Sequence, residues 1–285
     1  MRAAIVAECR AMAAAGLSDG TSGNISARLD DSFLITPSAI PYEALKPELL
    51  ATMPVHGEYG AWAGRLKPSS EWRFHLDIMR ARPDVGAIVH SHPPYGTALA
   101  ALHRPILACH YMIAAFGGSV VECTRYAPYG TKELSDLALA GLGARHAVLL
   151  GNHGAIVVGP DLETTMARAL QLEQLAQIYY LAICAGRPII LSDEEIARIV
   201  ERFKTYGGGA EAQKAQKASS APKKRARGKI KAAATKRGAK KKATGKKPTR
   251  KKATREKPVR KKGTRKKAAR KRSTRKKATR TRARK

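Results

Sequence analysis

Apolar positions recur along the first two hundred residues with two periods. Ile5, Val6, Cys9 and Met12 fall at helical spacing, which predicts a helix over residues 2–15 with Gly16 as its stop. A Gly/Ser/Thr-rich loop (20–24) leads into a short strand at 25–28, and a second strand spans 32–36, closed by Pro37. Residues 68–71 open a helix running to about residue 82, with a serine as its N-cap. Residues 85–90 are apolar and β-branched, hence a strand, and 94–102 are helical. A short apolar segment at 111–116 precedes Gly117-Gly118. Then follow a helix at 132–141, strands at 147–150 and 155–158, a long helix at 161–184 and a last helix at 192–204. Ser192 and Glu195 have the spacing of a capping box. Strands mixed with helices indicate an α/β domain.

Charge divides the chain. Residues 1–210 hold 18 Lys/Arg and 20 Asp/Glu, and residues 211–285 hold 36 and 2, so the net charges are −2 and +34. The first part is long enough to bury a core. The second has only Ile230 and Val259 as large apolar residues after Tyr206, too few to offset the entropy of folding, so it is expected to be disordered. Gly207-Gly208-Gly209 reads as the hinge, and from Thr249 the chain falls into five-residue units such as TRKKA, TREKP and VRKKG. The expected organisation is a folded domain over 1–207 and a basic tail over 208–285. No apolar run reaches the ~18 residues of a membrane span. The N-terminal stretch fits an amphipathic helix better than a signal peptide. Cys9, Cys109, Cys123 and Cys184 form no C-x-x-C pair and read as reduced, mostly buried thiols of a cytoplasmic protein.

The candidate chemistry lies at strand ends. His90 and His92 are two apart on one strand, so they share a side. His153, in Gly-Asn-His-Gly, closes another strand, and Glu71 at a helix start offers an oxygen. Three histidines and a carboxylate suit Zn²⁺ or a related divalent ion, although a lone His-x-His pair is a weak signal. His75, four residues after Glu71, is expected to hydrogen-bond Glu71 on one helix face rather than to act as a ligand. His56, His103, His110 and His146 read as surface or packing residues. Residues 21–24 and the pair Ser69-Ser70 at a helix start could hold an anion through hydroxyls, N–H groups and the helix dipole. Composition alone equally describes two capped turns.

Longer motifs go further. The runs ITPSAIPYE (35–43), LKPSSEWRFH (66–75), HSHP (90–93), HYMIAAFGG (110–118), GNHG (151–154) and LSDEEIARIVERFKTYG (191–207) keep one register over roughly residues 1–207. They resemble the class II aldolase/adducin family, most closely its L-fuculose-phosphate aldolase branch. The resemblance implies a single three-layer α/β/α domain with a mostly antiparallel central sheet, assembled as a homotetramer with active sites between subunits. It implies Zn²⁺ on His90, His92 and His153, with Glu71 as fourth ligand and catalytic acid/base. It places Gly23, Asn24, Ser38, Ala39, Ser69 and Ser70 at the substrate phosphate. Tyr111 matches a proton donor from the neighbouring subunit, and Tyr206 a mobile C-terminal residue that helps close the site. Two positions depart from the family: Ser38-Ala39 stands for Thr-Gly, and Tyr129 stands for Phe in the aldehyde pocket. Ala39 resists positive φ, at roughly 1 kcal/mol if that conformation is needed.

The implied reaction is reversible cleavage of a ketose 1-phosphate, similar to L-fuculose 1-phosphate, to dihydroxyacetone phosphate and an aldehyde. The same scaffold could also serve a sugar-phosphate epimerase, dehydratase or decarboxylase. A non-catalytic, adducin-like domain would have lost the histidines, and all three are present. The tail resembles the Lys/Ala-rich tails of bacterial histone-like proteins. Its charge density predicts binding to nucleic acid or another polyanion through residues 211–285, without base stacking because no aromatic follows Tyr206. A nucleoid-associated DNA-binding protein with a vestigial enzyme domain is the alternative that gives the tail first place.

Overall fold

The structure is a computed structural model that describes residues 1–205. Tyr206 and the expected tail, 208–285, lie outside the described residues. In chain order the elements are α1 (Arg2–Ala14), β1 (Asn24–Leu29), β2 (Ser32–Ile35), a 3-10 turn (Pro47–Leu49), β3 (Ala51–Pro54), α2 (Trp72–Ala81), β4 (Ala87–Ser91), α3 (Pro94–Ala101) and β5 (Ile106–Leu107). A 3-10 stretch (Tyr111–Phe116), β6 (Val120–Val121), α4 (Lys132–Leu142), β7 (Ala147–Leu150), β8 (Gly154–Gly159), α5 (Leu162–Ala185) and α6 (Asp193–Thr205) follow. No helix among the described residues is long and apolar enough to cross a membrane.

Six strands form one sheet in the order β3-β2-β1-β4-β8-β7, and every neighbouring pair is antiparallel. Alternate side chains feed two cores. Ile25, Ala27, Leu34, Val89, Leu149 and Val157 pack with apolar residues of α1, α3, α5 and α6. Phe33, Ile35, Met53, Ile88, Val148 and Ile156 pack with those of α2 and α4. This is the expected α/β domain, with helices on both faces. Burial on both sides explains why β4, β7 and β8 read as unbroken apolar runs rather than alternating ones.

The first helix ends in a Schellman motif. Leu17 N–H reaches back to Met12 O, Gly16 N–H to Ala13 O, and Gly16 takes φ 71°. At α6, Ser192 Oγ accepts from Glu195 N–H at 3.2 Å, while the Glu195 carboxylate turns outward to Arg198. Three expectations are corrected. The N-cap position of α2 is Glu71, not a serine, and no side chain caps that helix. Among the four cysteines, all free, only Cys9 is buried; Cys109 and Cys123 are half-buried and Cys184 is exposed. The short strands β3, β5 and β6 went unread. β3 is an edge strand ending in Pro54, which lacks a ladder donor, so its strand character comes from pairing with β2.

Candidate active site

The ladder between β1 and β4 sets Asn24 opposite His90, and β4 pairs with β8 so that Ser91 faces Ala155. His90 is fully buried, and its Nδ1 lies 3.0 Å from Ala155 O. A carbonyl only accepts, so Nδ1 carries the ring proton and Nε2 presents a lone pair. That Nε2 lies 3.1 Å from His92 Nε2 and 3.1 Å from Glu71 Oε2. His153, in the turn between β7 and β8, puts its Nε2 3.3 Å from Glu71 Oε1. The three rings stand pairwise 4.8–5.1 Å apart, edge to face, with one nitrogen of each within 4.8 Å of the others. Close packing demands small neighbours. A Cβ on Gly154 would meet Ser91 O at 2.5 Å and His92 Cδ2 at 2.6 Å.

This set fits a divalent cation. Glu71 is 7% exposed, and its Oε1, despite its nearness to His153, has no aligned hydrogen bond. A lone pair of His90 facing a carboxylate oxygen is attractive only through a positive charge between them. Burial, with the neighbouring imidazoles of His90 and His153 adding to it, pushes the His92 pKa down to about 4. Burial, with His90 adding to it, does the same for His153, to about 4. Both rings are therefore neutral near pH 7, the state in which imidazole ligates a metal. Burial pushes the Glu71 carboxyl up, but the imidazoles of His90 and His153 and the Asn24 amide hold it below the usual carboxylate range. It is ionised at neutral pH.

A cavity of ≈ 480 Å³ opens beside this cluster, and Glu71, His92 and His153 form part of its wall. Gly23, Asn24, Ser38, Ala39, Ser69 and Ser70 also line it. Gly23 takes φ 78°, and a Cβ there would lie 2.7 Å from both His90 O and Ser18 Oγ, so the loop of 20–24 rests directly on the histidine strand. Tyr42, buried, ties that loop down by donating its hydroxyl to Ser22 O at 2.7 Å. Ser38 Oγ accepts from Ser70 N–H at 2.8 Å. Ala39 takes φ 61°, so the left-handed conformation that its methyl resists is present.

Comparison with known proteins agrees with this geometry. The profile of the Class II Aldolase and Adducin N-terminal domain matches residues 3–180. The chain belongs to the class II aldolase and adducin family. It is 44% identical over 211 residues to the 5-methylthioribulose-1-phosphate/5-deoxyribulose-1-phosphate aldolase of Rhodospirillum rubrum, covering 74% of this chain and 94% of that one. It is 45% identical over 204 residues to the L-fuculose phosphate aldolase of Escherichia coli K12, covering 71% and 94%. A solved L-fuculose 1-phosphate aldolase superposes with a TM-score of 0.68 at 36% identity, covering 71% and 95%. The protein is thus a class II aldolase, an enzyme class that depends on a metal.

Other positions singled out from the sequence lie as follows in this class II aldolase. Tyr129 lines the cavity and is 71% exposed. Tyr111 does not reach the cavity of its own chain; it begins the 3-10 stretch, 48% exposed, beside Met112 and Phe203 at a different depression. Tyr206 lies outside the described residues. His75 departs from expectation: its ring bonds Ser26 and Asn24, not Glu71. Burial of the ring against β1 turns it away from its helical neighbour. His103 is exposed and bonds Asn152, His110 accepts from Met112 N–H, and His146 packs half-buried near Ala115 O. Tyr126 and Asn152 also line the cavity. Asn152 could have been noticed inside GNHG, whereas Tyr126, in a segment without periodicity, offered no signal.

Proposed function

We propose that this enzyme is a zinc-dependent aldolase that reversibly cleaves a ketose 1-phosphate to dihydroxyacetone phosphate and an aldehyde. One observation supports it above the others: an ionised carboxylate among three imidazoles stands beside a cavity lined by Glu71, His92 and His153 together with Ser22, Ser38, Ser69 and Ser70. His90, His92 and His153 would hold the ion with Glu71, and it would supply Lewis-acid polarisation of the substrate carbonyl. Gly23, Asn24, Ser38, Ala39, Ser69 and Ser70 would bind the phosphate through serine hydroxyls and backbone N–H groups of the two loops. Among the described residues no Lys or Arg lines this cavity, so neutral donors would carry phosphate recognition there.

In the direction of synthesis, Glu71 takes a proton from the hydroxymethyl carbon of dihydroxyacetone phosphate. That carbon bonds to the aldehyde carbonyl carbon, and the carbonyl oxygen takes a proton from Tyr111 of a neighbouring subunit. The exposure of Tyr111 away from its own cavity favours this donation between subunits of a homotetramer. Tyr206 closes the site, and Tyr129 meets the aldehyde. Near-equal identity to relatives named for fuculose and for 5-deoxy- or 5-methylthioribulose phosphates leads us to include all three substrates in the test. Purified enzyme with Zn²⁺ is expected to release dihydroxyacetone phosphate from at least one; release from none overturns the reading.

The tail adds a second activity. With 36 Lys/Arg and 2 Asp/Glu, residues 211–285 are proposed to bind nucleic acid without sequence preference, by releasing counterions from phosphates, and so to place the enzyme at the nucleoid.

A further inference from the structure

No step above uses His75, yet this ring is fully buried and both its nitrogens are engaged. Nε2 lies 2.5 Å from Asn24 Oδ1, and Nδ1 lies 2.7 Å from Ser26 Oγ. The carboxamide oxygen can only accept, so Nε2 carries the proton and Nδ1 accepts from the Ser26 hydroxyl. The other half of the Asn24 amide, Nδ2, donates to Ser69 Oγ at 3.0 Å and to Glu71 Oε2 at 2.9 Å. Ser69 Oγ also accepts from Glu71 N–H at 3.2 Å. A continuous line of hydrogen bonds therefore runs from Ser26 through His75 and Asn24 to Glu71.

The direction of this line matters. Turned by half a rotation, the Asn24 amide would set its oxygen against the Glu71 carboxylate and its NH₂ against the His75 N–H. Two repulsive contacts would replace two hydrogen bonds between largely buried side chains. The acceptor-only carboxylate of Glu71 at one end and the N–H of His75 at the other together hold the observed orientation. Glu71 and His75 are four apart on α2, a spacing at which they could pair directly, but Asn24 from β1 is inserted between them. A side chain that served only to fill space here would be apolar, like Phe74, Leu76 and Ile78 around it.

We propose that His75 is a positioning residue that helps fix the orientation of the Asn24 carboxamide and thereby holds Glu71 Oε2 against His90 and Oε1 toward His153. The inference rests on the proposed role of Glu71 as metal ligand and acid/base.

The full-length chain is compared with His75→Asn and His75→Gln. Gln can return an N–H to Asn24; Asn is too short and offers only an acceptor to Ser26. Zinc affinity is measured by competition with a chelator, and kcat and KM separately with the ketose phosphate that the wild type cleaves. His75→Asn is expected to lose about tenfold or more in zinc affinity and in kcat, with KM within about threefold, and His75→Gln to stay near wild type in all three. Equal behaviour of the two variants overturns the inference, because a ring that only fills space does not distinguish them. A wild type that binds zinc and cleaves its substrate, with no such split, defeats this inference alone. A wild type that binds no zinc defeats the metal reading and this inference with it. Should His75→Asn fail to fold, Ser26→Ala keeps the ring and removes the hydrogen bond to its Nδ1. It is expected to weaken zinc binding severalfold, and unchanged binding counts against the proposal.

Discussion

His90 donates its Nδ1 hydrogen to the carbonyl of Ala155, 3.0 Å away on the neighbouring strand, and this bond turns the bare Nε2 toward Glu71. The backbone of β8 thus selects the tautomer of a side chain on β4. Metal-ligating histidines need such a partner, since the proton must be held on the nitrogen that faces away from the ion.

One divalent ion per chain is therefore expected, and His92→Ala should lower that content. Elemental analysis of dialysed wild type and variant measures it. Identical content in the two would remove this cluster from consideration. A chelator should also lower the melting temperature of the wild type, because an ion that binds only the folded state stabilises it by about 2.7 kcal/mol at a hundredfold excess over Kd.

Glu71→Gln should fold normally and lose turnover by a factor of at least ~10², the lower range for general acid–base catalysis. Gln keeps the shape of the side chain and loses its basicity. Exchange of the dihydroxyacetone phosphate proton with solvent isolates this step from the rest of the reaction. Near-normal exchange in the variant would show that another group takes the proton.

Ala39 sits exposed at φ 61° in a loop that lines the cavity. Ala39→Gly should raise the stability of the domain by up to about 1 kcal/mol, the left-handed strain relieved less the extra chain entropy of glycine. A urea titration reads the change. Destabilisation would mean that the loop does not hold this conformation.

Acid should destabilise the domain through His75. Burial, with His90 adding to it, pushes its pKa down from 6.5 to about 3. Below pH 6.5 the unfolded chain takes up a proton that the folded chain refuses until about pH 3. Stability therefore falls as pH drops through that window, by up to about 1.4 kcal/mol per pH unit for this group. His75→Gln should flatten the profile by that amount between pH 6 and pH 4. An unchanged slope would show that the ring is already charged in the fold.

The basic tail should bind duplex DNA with a steep salt dependence, log K falling by about 0.9 per phosphate contact on a log–log plot. Four tails on one tetramer would add avidity. Removing everything after Gly209 should abolish binding and leave catalysis in place. A truncated enzyme that still bound DNA equally well would refute the assignment, since residues 1–210 carry a net charge of only −2.

Much of this was legible in the sequence, for physical reasons. The histidine pair could be placed on one face because side chains alternate along a strand, and the histidines do converge. The helices were legible where apolar spacing and a cap coincided, as at Ser192, whose Oγ accepts from Glu195 N–H at 3.2 Å. Reading stopped where tertiary contacts overrule local chemistry. A Ser-Ser-Glu run favours a serine cap by local preference, yet Ser69 bonds Asn24 and the chain begins its helix one residue after Glu71. The partners of His75 come from β1, some fifty residues away in sequence, and no local pattern announces them. Strand β3 is four residues long, shorter than any period can reveal.

The facing of Asn24 and His90 across one ladder sets a ruler inside the enzyme. Strand pairing holds Asn24 opposite His90, so, with the proposed phosphate site at residues 20–24, the span from phosphate to histidines would be a fixed length. A substrate with one more carbon between its phosphate and its carbonyl would overrun that length at one end or the other. On the aldehyde side no such gauge is present among the described residues, where Tyr129 is exposed. Selectivity should therefore be strict on the phosphate side and permissive in the aldehyde, which leaves new substrates to arise by changing the far wall while the ruler stays as it is.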